Sequence, residues 1–499
     1  MSMSDAQPPR GKKRANRMAS IQPPSWKDRV EYARDHEGGF FYRPRQVIAR
    51  DAPGKTALNY LRAIDGIGTV TEVLTTTAKN HLFEFDGDVS VLKVVADLKD
   101  DGFKAEPNYV LFAHGLSGNP LSGNPLYGNP LYGNPLSGNP LYGNPLYGNP
   151  LYGNPLYGNP LYGNPLYGNP LSGNPLYGDP LGYGVKLTGP QMNTAQPVAD
   201  PNPAARRWNQ ARGAPAVFIL DSGLAGAGRT GVPGQLPDLL KQNVSNLGVK
   251  QSGWGALSAK PAGYTADAGD DLPESAPEDK ALDPIAGHGT FIAGVIELLA
   301  PGRQMEVIKV FEIEGDVDAA KIAWCLDQLV ANDKTLINLS FGGYAPSEMF
   351  TLRGAIRNVQ AKGAVVVASA GNDGTWRRAY PACLPGVIGV GALGPFGPAL
   401  FTNYGPWVRA CAPGTEIVSS FFQNWEGPLP GPSTKIDPDR FRGWARWSGT
   451  SFAAPVVVAA LAREMTTTGC TANQAVERVI DAPGLLRIPG LGTVINIAP

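Results

Sequence analysis

Apolar positions along the chain change rhythm several times, and each rhythm predicts a different element. From Phe41 to about His114 the runs are short. Arg45 to Ala49 reads as a strand, Thr56 to Ile64 as a helix and Gly68 to Leu74 as a strand. His81 to Glu84 reads as a strand, Val89 to Lys99 as a helix and Asn108 to Phe112 as a last strand. Beyond Leu181 the runs lengthen. Ala204 to Gln210 predicts a helix that feeds an apolar strand, Ala216 to Leu220. Glu306 to Phe311, Leu336 to Ser340 and Val365 to Ser369 predict further strands. Helices are expected at Ala319 to Ala331, Pro346 to Lys362, Phe452 to Leu461 and Thr471 to Ile480, with a closing strand at Gly492 to Ile497. Strands alternating with helices imply a mostly parallel α/β sheet covered on both faces.

Two stretches lack either period. Residues 1–40 are polar, with a basic cluster at Arg10, Lys12, Lys13, Arg14 and Arg17, and read as a solvated disordered tail. Residues 116–180 are thirteen consecutive pentapeptides of the form Leu-(Tyr/Ser)-Gly-(Asn/Asp)-Pro, nine with Tyr and four with Ser at the second place. A proline in every repeat removes a backbone donor and forbids helix or central strand. The repeats therefore read as an open, turn-rich spacer, spanning about 45 Å as a flexible coil.

Composition narrows the function. The chain has 499 residues, a 42% hydrophobic content and a formal net charge of zero, which suits a sizeable core and gives no footing for a nucleic-acid partner. No apolar run of about 18 residues is present, so no membrane span is expected. The basic cluster is followed by no apolar stretch of the signal-peptide kind. Localisation is expected to be cytoplasmic, or exported by a route without such a signal. Cys325, Cys383, Cys411 and Cys470 are widely spaced and read as ordinary buried thiols, with a disulfide at Cys383 or Cys411 left open.

Three motifs carry chemistry. Gly449-Thr450-Ser451-Phe452-Ala453-Ala454-Pro455 reads as a turn opening a buried helix with Ser451 at its start. There a hydroxyl meets the positive end of the helix dipole. Serine is also a common helix cap, and taken alone Ser451 would read as one. Ala216 to Gly223 is an apolar strand ending in Asp221. Gly287-His288-Gly289-Thr290 sets a histidine between two glycines at the start of another helix, and His288 is the one histidine downstream of His114. A carboxylate, an imidazole and a hydroxyl are the parts of a Ser-His-Asp relay.

With these residues in the order Asp, His, Ser, the chain resembles the subtilisin-like (subtilase) serine peptidases. The resemblance implies Ser451 as nucleophile, His288 as general base and then acid, and Asp221 as the group that orients the imidazole. The strand Val365 to Ser369 runs into Asn372, which resembles the family's oxyanion-hole segment. Ser340, Phe341 and Gly342 resemble the edge that pairs with an extended substrate. Tyr380-Pro381-Ala382, Asn403-Tyr404-Gly405 and Ala412-Pro413-Gly414 also match family segments. Phe291 departs from the pattern, since many relatives carry a second histidine there.

The implied fold class is α/β. A subtilisin-like three-layer domain with a mostly parallel sheet (181–499) follows a small ferredoxin-like α+β domain (41–115). The smaller domain, including Ala105-Glu106-Pro107-Asn108-Tyr109, resembles the family's N-terminal propeptide. The expected partners are a protein or peptide substrate and the chain's own N-terminal domain acting as inhibitor. No cofactor and no metal are required. Acidic residues from Asp267 to Asp283 leave structural calcium open, although their spacing matches no ligand pattern. The repeats sit where the family is processed, so they read either as a ladder of self-cleavage sites or as a passive spacer. A competing function is a binding or scaffold protein that displays the repeats beside a silent peptidase domain.

Overall fold

The computed structural model describes residues 30–35, 38–113, 195–197, 216–225, 240, 250–252, 285–312, 315–423, 425–427 and 439–497. The repeats, the helix expected at 204–210 and the acidic stretch 267–283 lie outside the described residues, as do residues 1–29 of the tail.

Strands of the larger unit are buried on both faces, as a parallel sheet between helix layers requires. Among the described residues the central run of the sheet is Gly492–Val494, Val408–Pro413, Ile388–Gly394, Val365–Ser369, Thr335–Leu339, Ala216–Asp221, Gln304–Lys309 and Lys250–Ser252. Every neighbouring pair in that run is parallel. Alternation along each strand divides the interior in two. Val217, Ile219, Val307, Val365 and Val367 join one core, together with residues of the helices His288–Leu299 and Thr450–Thr468. Leu220, Ile308, Ile337, Val366 and Ala368 join the other, with residues of Ala319–Gln328 and Phe350–Ala361. Asp221, Ser340 and the Ala370 to Asn372 segment all lie where parallel strands end, along one rim of the sheet.

The smaller unit packs on the second core. Its strands are β1 (Glu31–Asp35), β2 (Gly38–Arg50), β3 (Val70–Thr75), β4 (His81–Phe85) and β5 (Lys104–Ala113), with helices α1 (Ala57–Arg62) and α2 (Val91–Asp100). The sheet order is β5-β2-β4-β3, antiparallel throughout, with β1 added beside β2. Structure therefore begins ahead of residue 41, the boundary expected from polarity. The reason is long-range: Tyr32 lies 5.3 Å from the Phe41 ring, and Val30 and Phe41 join Val110 and Phe112 in a small separate core. Nothing within residues 31–40 signals a partner seventy positions away.

β5 also joins the two units. It pairs antiparallel with Phe341–Gly342 on one side and with Asp316–Asp318 on the other, both from the larger unit. The acid-flanked strand Asp316–Asp318 carries no apolar alternation that sequence reading would recognise.

Candidate functional site

The three motif residues converge at that rim. His288 opens its helix, and its Nδ1 donates to Asp221 Oδ1 at 2.7 Å, with both side chains fully buried. A second donor, the Ser222 amide at 2.8 Å, shares the same carboxylate oxygen. A carboxylate can only accept, so the imidazole carries its proton on Nδ1 and presents Nε2 as a base. Nε2 has no hydrogen-bond partner among the described residues.

Local sequence explains the convergence. Gly287 has φ +82°, a conformation that favours glycine, and a Cβ there would strike the Phe421 ring. A Cβ on Gly289 would strike the Gly223 carbonyl, so the glycine lets the helix start close on the Asp221 loop. Two side chains hold that approach. Ser222 Oγ accepts from the Gly289 amide at 2.9 Å, and Thr290 Oγ1 accepts from the Ala225 amide at 2.8 Å.

Ser451 is the second residue of the helix Thr450–Thr468 and is fully buried. Its Oγ donates to the Ser340 carbonyl at 3.0 Å, while Ser340 Oγ donates to the Ser451 carbonyl at 2.9 Å. Pro455 accounts for half of this exchange. It lies four residues on and has no N–H, so the Ser451 carbonyl lacks its helical partner and takes the Ser340 hydroxyl instead. Asn338 Nδ2 donates to Ser340 Oγ at 2.8 Å and fixes its rotamer.

Asn372 Oδ1 accepts from Thr450 N at 2.9 Å and from Thr450 Oγ1 at 2.8 Å. The amide's oxygen end is thereby committed to Thr450, which defines Nδ2 as its donor end beside the start of the serine helix. Apolar rings enclose the imidazole. Trp447 meets it edge-on at 5.6 Å and Phe452 lies at 5.3 Å, while Phe291 packs on Phe452 at 4.5 Å. Phe291, the departure from the family pattern, is therefore a wall of this cage. Exclusion of water strengthens the Asp221–His288 bond.

Sequence reasoning singled out Asp221, His288, Ser340, Asn372 and Ser451 but missed Ser222, Thr290, Asn338, Thr450 and Trp447. Four of these lie inside motifs already noted. They are hydroxyl and amide residues whose role depends on the orientation of a neighbour, which no spacing reveals. Phe341 and Gly342, expected to meet a substrate backbone, pair in this structure with β5.

The sequence profile of the subtilase family matches residues 215–480. The chain belongs to the subtilase family. It is 31% identical over 230 residues to a thermophilic serine proteinase of Bacillus sp. (strain AK1), covering 43% of this chain and 51% of that protein. Subtilisin Savinase of Lederbergia lenta is 31% identical over 186 residues, covering 35% of this chain and 62% of the relative. This subtilase spans between about half and three fifths of the length of these relatives. A solved cold-adapted subtilisin-like serine proteinase aligns with a TM-score of 0.43 and 17% identity, over 62% of this chain and 96% of that one.

All four cysteines are free thiols, so the disulfide left open for Cys383 or Cys411 is not formed. Burial pushes the Cys325 thiol far up and holds Cys383 and Cys411 at about 12, which leaves these three inert as nucleophiles. Among the described residues no cluster of ligand side chains could hold a metal, and no helix is long and apolar enough to cross a membrane. A cavity of about 610 Å³ lies away from the site, lined by Arg50, Lys104, Glu106, Arg353 and Arg357 at the junction of the two units.

Proposed function

We propose that this subtilase is a serine endopeptidase made as a self-inhibited precursor, with β5 as the inhibitory strand. The observation that carries this reading is the placing of β5 between two strands of the larger unit, ending beside the Ser340–Ser451 pair. An extended peptide bound in that way adds a strand to two open edges and leads its carbonyls toward a serine. Asp221 orients His288, and the Ser451 hydroxyl turns from the Ser340 carbonyl to His288 Nε2, which takes its proton. Ser451 Oγ adds to the substrate carbonyl, Asn372 Nδ2 and the helix start stabilise the oxyanion, and His288 returns the proton to the leaving nitrogen. Water then hydrolyses the acyl-enzyme by the same relay. The reaction needs no metal or cofactor in these steps.

Treatment with a fluorophosphonate tests the chemistry directly. Ser451 of the wild type should be labelled, and neither Ser451→Ala nor His288→Ala should react. Absence of label on the wild type after proteolytic or thermal release of the smaller unit would remove the reading. A second reading, a display protein with a silent peptidase domain, draws on one observation: Ser451 Oγ is bonded to Ser340 and not to His288. The same labelling separates the two.

A further inference from the structure

The contact between the two units is uneven in charge. At one place it joins opposite signs: Arg43 of the smaller unit meets Asp316 at 2.7 Å and Asp318 at 3.8 Å. The junction cavity of about 610 Å³ does the reverse. Arg50 at the end of β2, Lys99 on α2 and Lys104 at the start of β5 line it from the smaller unit. Arg353 and Arg357 line it from the larger. Two carboxyls, Glu106 and Glu348, share the wall. Three positive charges are thus unmatched, in a chain whose formal net charge is zero. Like charges brought together across an interface weaken it.

Both carboxyls are already engaged. Glu106 accepts from the Phe350 and Thr351 amides at 2.9 and 3.0 Å, and Glu348 pairs with Nη1 of Arg353. Arg353 Nε is still buried without a hydrogen-bond partner among the described residues. Arg50 Nε donates to Asn80 Oδ1 at 3.0 Å, which holds that guanidinium at the wall. Along the helix Phe350–Ala361, Arg353 and Arg357 stand four residues apart and therefore on one face. Phe350 opens the same wall, with Lys104 Nζ over its ring at 4.7 Å.

We propose that this cavity binds a polyphosphate anion, which ties the smaller unit to the larger. The unmatched charge calls for a ligand carrying three or more negative charges. Guanidinium groups grip phosphate oxygens through paired N–H donors, so the three arginines favour phosphate over other anions. The volume falls among those of small-molecule sites. Several phosphates in one molecule can reach cations on both walls at once. Those walls belong to different units, so the site is complete only when the units are docked. A ligand bound there favours the docked form by the factor 1 + [L]/Kd. This holds whether or not Ser451 is reactive.

The test uses the full chain carrying Ser451→Ala, in which no self-cleavage can intervene, and sodium tripolyphosphate as the ligand. Calorimetric titration in about 150 mM NaCl keeps long-range charge effects screened. One site per chain is expected. Arg353→Gln with Arg357→Gln should weaken it roughly 10-fold or more, and Lys99→Gln should weaken it as well, from the other unit. Arg62→Gln, a surface cation outside the cavity wall, should leave it unchanged. Orthophosphate and citrate at equal ionic strength should bind at least roughly 10-fold more weakly. Hydrogen exchange at the amides of residues 110–113 should slow about 100-fold at a ligand concentration 100 times Kd.

Absence of binding would overturn the proposal. Binding untouched by the cavity substitutions would do the same and move the anion elsewhere, to the basic cluster at Arg10 to Arg17 first. Equal binding of orthophosphate or citrate would remove the polyphosphate assignment. Binding that left the exchange rates unchanged would show that the anion does not tie the units together. The exchange measurement needs no cavity substitution, so it decides the matter even where a variant fails to fold.

Discussion

The two halves of the contact between the units are built differently. Near the site, β5 is held by backbone ladders to Phe341–Gly342 and Asp316–Asp318, which any extended peptide can copy. Farther out, specific side chains make the seam. Arg43 reaches Asp316 at 2.7 Å, and Glu106 accepts from the Phe350 and Thr351 amides at 2.9 and 3.0 Å at the start of a helix. Asn108 Oδ1 accepts from the Ala320 amide at 3.1 Å at the start of another. Lys104 lies over the Phe350 ring, and Arg377 donates to the Gly39 carbonyl. On the reading proposed above, the ladder is what the smaller unit and a substrate would share, while the seam belongs to the smaller unit alone. An inhibitor that must outlast a substrate needs contacts that the substrate cannot make.

Breaking the seam at its most buried pair should have the largest effect. Arg43→Ala removes the guanidinium that meets Asp316 at 2.7 Å and Asp318 at 3.8 Å, a loss of about 3–5 kcal/mol for a buried ion pair broken from one side. Hydrogen exchange at the amides of residues 110–113 should speed by two to three orders of magnitude, and unchanged protection would show that the ladder alone holds β5.

Glu106→Ala removes two helix-start acceptors and should cost about 2 kcal/mol by the same readout. Burial raises the Glu106 carboxyl from 4.5 to about 7, against the pull of the two amides and Lys104. Because the docked value lies above the undocked one, docking favours the protonated form. Protection of β5 should therefore be greatest below about pH 4.5, fall as pH rises toward about 7 and then level off, with Glu106→Gln flattening that dependence. A rise in protection across the same window would contradict it.

Gly343→Ala probes the shared part. Its Cβ would sit 3.0 Å from the Val110 carbonyl, a crowding of about 1–2 kcal/mol. It should loosen β5 and raise KM for peptides together, whereas an effect on one alone would separate ladder from substrate path. Thr450→Val acts at the site and away from the seam: it removes the hydrogen bond to Asn372 and the one that Thr450 Oγ1 accepts from the Gly371 amide, each worth about 1 kcal/mol. It should lower kcat several-fold with KM and β5 protection unchanged. Altered protection would place Thr450 in the docking contact as well.

Much of the site was legible because it is local. A serine at a helix start, a histidine between glycines and an aspartate at a strand end each require a particular residue within a few positions, and those requirements leave motifs. The apolar run Val365–Ser369 was legible as a buried strand for the same reason, while its division between two cores appeared only in the structure. Residues 31–35 were misread as tail because Tyr32 gains its burial from Phe41 across a hairpin.

Sequence by itself determined which residue types could do the chemistry, the order in which they occur and the sheet that carries them. Tertiary structure alone decided which hydroxyl would meet which carbonyl, and which two edges β5 would join. Arg43 and Asp316 are 273 residues apart, and Ser340 and Ser451 are 111 apart. Pairings at that separation follow from the packing of whole layers, and packing leaves no period in the chain to read.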